Sequence, residues 1–278
     1  MVAYKYFKKK LLGNVFPLII FSNLWVSANF VLWMIIYAGL NHLPAPVFEE
    51  LFFVFIGVIF VYHMQRFTDK HKRYFLLSFL RQFKISMLII NLILLFILIY
   101  MLLFEIQWTQ ALILKLFFLG ILAGAYVKFP FLKAGIRQLG TIKPFYIALV
   151  WTLAINWFVN EDLLNIEPVD FAIFLLISSY TIPFDIRDMQ IDREKNFFTL
   201  PVLIGKYPAL IIAILLMYAS LGIFILLYPD YFIRFLILGV LFTGLYFLSV
   251  LVNNKFFYVS FILEALPVFF YVIVFCCH

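Results

Sequence analysis

The chain has 278 residues, of which 66% are hydrophobic and 13% are charged, and its formal net charge is +7. An average soluble domain is about 45–50% apolar and 25% charged, so this composition argues strongly against a soluble globular protein. The basic residues lie in short clusters between apolar runs, which argues against a nucleic-acid partner. Cys276 and Cys277 are the only cysteines, and as neighbours they offer neither a disulfide framework nor a metal site of spaced thiolates.

Nine apolar segments are long enough to be membrane-spanning helices, because a bilayer core about 30 Å thick requires about 20 helical residues. In chain order, the segments lie near residues 15–40, 47–68, 84–104, 109–127, 143–160, 169–184, 207–228, 231–252 and 256–276. The sequence therefore predicts an all-α membrane protein with about nine transmembrane helices in a single integral-membrane domain, residues 1–278.

The distribution of charge predicts the orientation of these helices. Lys and Arg concentrate at the N-terminus, in loops 66–84, 128–143 and 185–206, and at Lys255, whereas the alternate loops carry acidic residues. Basic residues on short loops resist translocation and stay on the cytoplasmic side. Nine spans with a cytoplasmic N-terminus satisfy this pattern, and we expect a bacterial cytoplasmic (inner) membrane.

Three carboxylates follow the sixth apolar segment, at Asp185, Asp188 and Asp192. On a helix, residues i, i+3 and i+7 fall on one narrow face, where like charges repel unless a cation joins them. Oxygen ligands of this kind suit Mg²⁺, which holds few carboxylates and readily bridges to phosphate oxygens. The alternative is a solvated loop whose acids are balanced by neighbouring basic residues such as Arg187 and Arg193.

The segment from Asp185 to Gly205, DIRDMQIDREKNFFTLPVLIG, resembles the second aspartate-rich motif of the UbiA superfamily of intramembrane prenyltransferases. The resemblance implies nine helices around a central cavity. It also implies Mg²⁺-dependent transfer of a prenyl group from a prenyl diphosphate to a lipid-soluble, possibly aromatic acceptor, as in the 4-hydroxybenzoate polyprenyltransferase type. Asp185, Asp188 and Asp192 would then be catalytic residues that hold the metal.

The loop after the second segment corresponds to the first motif of that family, which usually carries Asn followed by Asp residues. Here it reads HMQRFTDKHKR, from His63 to Arg73, so the motif is degenerate. Asp69 is its remaining carboxylate and the expected catalytic metal ligand from this loop. His63 and Arg66 are expected to contact the substrate, since a guanidinium grips phosphate oxygens as a fork.

The third cytoplasmic loop lies where the family supplies further basic residues to the diphosphate. By resemblance, Lys128, Lys133 and Arg137 are expected to bind substrate. The alternative is that these charges only fix the topology.

Two other functions remain open on sequence grounds. Because the first motif has lost acids, the chain is alternatively a non-catalytic isoprenoid-binding relative of these enzymes. A secondary transporter is a different class, for which Glu264 within the ninth apolar segment would be the intramembrane carboxylate.

Overall fold

All regular elements in the described part of the chain are helices, as the apolar segments predict. The computed structural model describes residues 23–68, 84–106, 109–127, 136, 140–160, 165–252 and 258–277. The helices are α1 (Leu24–Leu40), α2 (Phe48–Thr68), α3 (Lys84–Phe104), α4 (Gln110–Val127), α5 (Lys143–Val159), α6 (Pro168–Glu194), α7 (Leu200–Ile204), α8 (Lys206–Leu227) and α9 (Phe232–Leu251), followed by α10 (Leu266–Tyr271) with π-helical turns on either side.

Each of the nine predicted segments overlaps one of these helical elements, so the all-helical class is confirmed. Within the described ranges, four helical stretches are long and apolar enough to cross a membrane, namely Phe48–Gln65, Pro168–Glu194, Lys206–Leu227 and Pro229–Leu251. Shorter apolar helices occupy Leu24–Leu40, Leu88–Phe104, Gln110–Tyr126, Lys143–Val159 and Leu266–Cys276. The number of nine spans stays a prediction.

Large apolar side chains cover the surface of several helices. Phe96 on α3 is 70% exposed, Leu226 on α8 is 83% exposed and Val240 on α9 is 74% exposed. A water-soluble protein rarely exposes contiguous apolar surface on this scale, whereas acyl chains solvate it without penalty. The surface therefore agrees with the composition in favouring a lipid environment.

The chain forms two compact units. The first comprises residues 1–31 and 46–108, in which α2 packs against α3. The second comprises residues 32–45 and 109–278, in which α6 packs most extensively against α8 and α5. The assignment of residues 1–278 to a single domain stays a prediction.

Helix α6 is the most enclosed element of the second unit. Of its spanning window, 78% of residues are buried, against 28–39% for the other three candidate spans. Hydroxyl groups link it to its neighbours: Ser220 on α8 donates to the Ala172 carbonyl at 2.7 Å, and the hydroxyls of Ser179 and Tyr246 lie 2.7 Å apart. Because its surroundings are protein rather than lipid, α6 can carry polar groups that a lipid-facing helix could not.

The N-terminus of α6 is fixed by a buried polar network. The Asp170 carboxylate accepts the backbone N–H of Glu167 at 2.7 Å and the Asn156 amide at 3.0 Å. Asn156 also donates to the Tyr37 hydroxyl at 2.8 Å. An acidic group in the first turn of a helix is favoured by the free N–H groups and by the helix dipole, so this network anchors α6 at that end.

The other end of α6 differs from the sequence prediction. The sixth segment was expected to end near residue 184 and to leave the aspartates in a loop, but α6 continues to Glu194 and carries all three. Beyond Phe184, Arg187 donates to Ser260 of the π-helical turn Tyr258–Leu263, and α6 also packs against α7, so neighbouring elements support this part of the helix. At 1.5 Å per residue, the 27 residues of α6 span about 40 Å, more than a hydrocarbon core of about 30 Å requires.

The last apolar segment is interrupted rather than continuous. A π-helical stretch, Tyr258–Leu263, is followed by a turn at Glu264 and Ala265, then by α10 and a second π-helical stretch, Val272–Cys276. Glu264 therefore lies at a break and not in the middle of a regular helix. Such interruptions in membrane helices are tolerated where neighbouring protein supports the backbone.

Gly140 brings the start of α5 into close contact with the segment after α6. A Cβ atom placed on Gly140 would collide with backbone atoms of Phe198 and Thr199. Backbone atoms cannot move aside as the end of a side chain can, so this position requires a glycine.

We expect Gly140→Ala to lower the free energy of unfolding by about 1–3 kcal/mol, the usual penalty of overpacking a well-packed interior. Thermal unfolding of the purified protein in detergent measures this loss. Gly222→Ala, within α8 and with open space around it, is the matched control and should leave the melting temperature unchanged or slightly raised. Equal melting temperatures for Gly140→Ala and the wild type would contradict the close approach.

Candidate functional site

The candidate site lies along the C-terminal part of α6, where the three aspartates occupy one side of the helix. At about 100° per residue, their spacing places them within about 60° of one another around the axis. Asp185 is 1% exposed and Asp192 is 5% exposed. Carboxylates buried to this degree require compensation, because transfer of an isolated charge out of water is very costly.

Asp185 obtains this compensation from Lys143 in the first turn of α5. The Lys143 ammonium donates to Asp185 Oδ1 in a short ion pair, and the two side chains are 16% and 2% exposed, respectively. The charge of Asp192 also acts favourably on this ammonium. Lys143 therefore pairs with Asp185 from a different helix.

Asp188 is paired with its neighbour Arg187. The guanidinium donates from Nε and from Nη2 to the two carboxylate oxygens, each at 2.7 Å, and from Nη1 to the Ser260 hydroxyl at 2.6 Å. The guanidinium carbon lies 5.2 Å from the centre of the Phe184 ring. This bidentate geometry holds the guanidinium firmly and links α6 to the last helical segment.

Glu264 adds a fourth carboxylate to this end of the second unit. Its charge acts on the Arg187 guanidinium, so the break in the last segment lies near the Arg187–Asp188 pair. A buried arginine with several acidic neighbours is stabilised as a cation, and Ser260 in the π-helical stretch before the break accepts a hydrogen bond from it.

The aspartates retain acceptor capacity beyond these ion pairs. Among the described residues, Asp185 Oδ2 and Asp192 Oδ2 are buried and have no hydrogen-bond partner. The buried Thr199 hydroxyl acts favourably on Asp192 and also lacks a partner within the described part of the chain, so it is available to donate to that carboxylate. Buried polar atoms are normally satisfied, so Asp185 Oδ2 is the oxygen that most clearly suits a cationic ligand. No group of three His, Cys, Asp or Glu side chains converges closely enough to hold a metal within the described ranges. Mg²⁺ is nevertheless commonly held by one or two carboxylates together with substrate phosphates, and the donor set fits that mode.

The residues expected from the first motif belong to the first unit, or lie outside the described residues. His63 is a buried residue of α2. Arg66 lies in the last turn of α2, but its side chain is outside the described part, and Asp69 follows immediately outside it as well. Whether these residues meet the aspartates of α6 stays a prediction.

The expected basic residues of the third loop, Lys128, Lys133 and Arg137, also lie outside the described residues. Among the described residues, Lys143, at the end of that loop, is the cation from this region that contacts Asp185. The sequence signal for it was its place at the boundary between the basic loop and a helix, but nothing in the sequence singled it out from the other basic residues there.

No protein-family model, curated protein or solved structure matches this chain. The resemblance to the UbiA superfamily therefore depends on the residues of the aspartate motif and on the order of the apolar segments.

We expect Lys143→Met to lower the free energy of unfolding by about 3–5 kcal/mol, because it leaves the Asp185 carboxylate buried without its cation. Adding Asp185→Asn to this variant removes the uncompensated charge and should restore most of the stability. Thermal or denaturant unfolding of the two single variants and the double variant measures the coupling. Strictly additive losses would show that the two side chains do not interact.

Proposed function

We propose that the protein is an intramembrane prenyltransferase that moves a prenyl group from a prenyl diphosphate to a lipid-soluble acceptor, with Mg²⁺ as its cofactor. One observation carries the proposal: Asp185 and Asp192 are buried at one end of an enclosed apolar helix, each with a carboxylate oxygen that lacks a partner among the described residues. A metal–diphosphate headgroup, with its lipid tail beside it, is a ligand that such a site suits.

The residues of the site have separate roles in this proposal. Asp185, Asp188 and Asp192 would hold the metal together with diphosphate oxygens, and Lys143 and Arg187 would supply positive charge for those oxygens. Mg²⁺ bound there would stabilise the negative charge of the departing diphosphate. The packing of α6 against α5 and α8 would limit the access of water to a carbocation formed there.

The proposal includes nine spans and a site that faces the cytoplasm of a bacterial inner membrane. The shorter helices support the number of spans: α1 and α5 have 17 residues and α4 has 18, at the low end of the range of about 17–25 residues that cross a bilayer. The orientation is supported by the charges at the two ends of α6, because acidic residues (Glu161, Asp162 and Glu167) precede it and basic residues (Arg193, Lys195 and Lys206) lie at and after its C-terminal end.

A non-catalytic isoprenoid-binding protein is the second candidate. It is favoured by the internal neutralisation of the site, since Lys143 already pairs with Asp185 and Arg187 with Asp188. A site that has lost its metal would need such cations to keep its carboxylates buried.

Release of diphosphate from a labelled prenyl diphosphate tests the enzymatic proposal, with purified protein, Mg²⁺ and either water or an aromatic acceptor. We expect Asp192→Asn to lower the rate by at least about 100-fold, because it removes a charge that the metal needs in the transition state. Asp230→Asn is the matched control: this acid is exposed at a short turn outside the site, and its loss should leave the rate unchanged.

Binding of a prenyl diphosphate without turnover, under every acceptor condition, would favour the non-catalytic protein. The break at Glu264 keeps the secondary transporter as a third outcome, since transporters place their sites at interrupted helices. Transport would be indicated if Glu264→Gln abolished the activity of the protein in cells while Asp188→Ala left that activity intact.

A further inference from the structure

The Lys143 ammonium occupies part of the site assigned above to a metal. It contacts Asp185 Oδ1, while Oδ2 of the same carboxylate is buried and has no hydrogen-bond partner among the described residues. Asp192 lies two helical turns further along the same face of α6, and its charge also acts on the ammonium. Of the three aspartates at this end of α6, Asp185 and Asp192 are the buried ones with an oxygen that has no partner among the described residues.

An ammonium and a divalent cation on one carboxylate repel each other. The two oxygens of a carboxylate are only about 2 Å apart, so a metal on Asp185 Oδ2 would lie close to the ammonium on Oδ1. Because Asp185 is buried, water screens this repulsion weakly. Full occupation of the site by the metal therefore requires the Lys143 side chain to leave Asp185.

We propose that Lys143 is an internal competitor of the divalent cation for Asp185 and Asp192. The proposal rests on the metal site of the proposed function. Lys143 keeps the carboxylates neutralised in the metal-free protein, and it gives up Asp185 when a metal enters. A diphosphate offers the released ammonium a new anionic partner, so metal loading is favoured when substrate is present. Lys143 is thus a positioning residue that couples the metal to the diphosphate.

A purely structural ion pair makes the opposite prediction about metal affinity. If Lys143 only stabilises the helix packing, its removal loosens the site and weakens any cation binding. If Lys143 competes with the metal, its removal leaves two buried carboxylates without a cation and strengthens binding. The sign of the change in metal affinity therefore separates the two roles.

The test uses the full chain in detergent and Mn²⁺ alone as the probe, with free Mn²⁺ measured by electron paramagnetic resonance. We expect Lys143→Met to bind Mn²⁺ at least about tenfold more tightly than the wild type, because a repulsive charge has been removed. Lys206→Met is the matched control, since this lysine begins α8 with its ammonium 4.6 Å from the centre of the Tyr207 ring. Its Mn²⁺ affinity should equal that of the wild type. Unchanged or weaker binding by Lys143→Met would overturn the proposal, as would failure of both proteins to bind.

A second measurement uses the wild type and does not depend on the folding of a variant. An amine-reactive acylating reagent, followed by mass spectrometry, reports how accessible each lysine is. Saturating Mn²⁺ should raise the labelling rate of Lys143 several-fold and leave that of Lys206 unchanged. Equal labelling of Lys143 with and without Mn²⁺ would overturn the competition.

These outcomes are distinguishable from failure of the proposed function. If Lys143 competes with Mn²⁺ but the protein transfers no prenyl group, this inference holds and the proposed transferase activity is wrong. If the protein transfers a prenyl group but Lys143→Met leaves its Mn²⁺ affinity unchanged, the proposed function holds and the competition is wrong.

Discussion

The neutralisation of carboxylates inside an apolar helix bundle is the constraint on which the second unit depends. α6 is its most enclosed helix and carries acidic residues at both ends. Each buried acid needs a partner, because water is excluded and an isolated charge is very costly there. Asp170 is held by Asn156 near the first end, and Asp185 by Lys143 near the other. The positions of α5 and α6 relative to each other follow from these pairs together with apolar packing.

The helices were largely predictable from sequence because the thickness of a bilayer sets the length of an apolar run. The second segment, predicted over 47–68, coincides with α2 at Phe48–Thr68, and the seventh, predicted over 207–228, coincides with α8 at Lys206–Leu227. Hydropathy does not predict the helix boundaries where polar residues are helical or where an apolar segment is interrupted. The residues after Phe184 look like a polar loop but remain helical in α6, and the apolar last segment hides a break at Glu264.

The local spacing of the site residues was predictable from the sequence, but their partners from other parts of the chain were not. The spacing of Asp185, Asp188 and Asp192 indicated one face of a helix, and the structure does place them on a helix. Their cations were harder to predict. Lys143 lies 42 residues from Asp185, and Ser260 lies 73 residues from Arg187, so these pairs depend on tertiary packing that local patterns do not encode.

Gly140 sets the spacing between the segment that leads into α5 and the segment that follows α6. A Cβ atom on Gly140 would overlap backbone atoms of Phe198 and Thr199, so two stretches of main chain are in direct contact there. Lys143 follows three residues after Gly140, and Asp192 precedes Phe198 by six residues. A larger residue at Gly140 is therefore expected to push apart the segments that carry the lysine and the last aspartate.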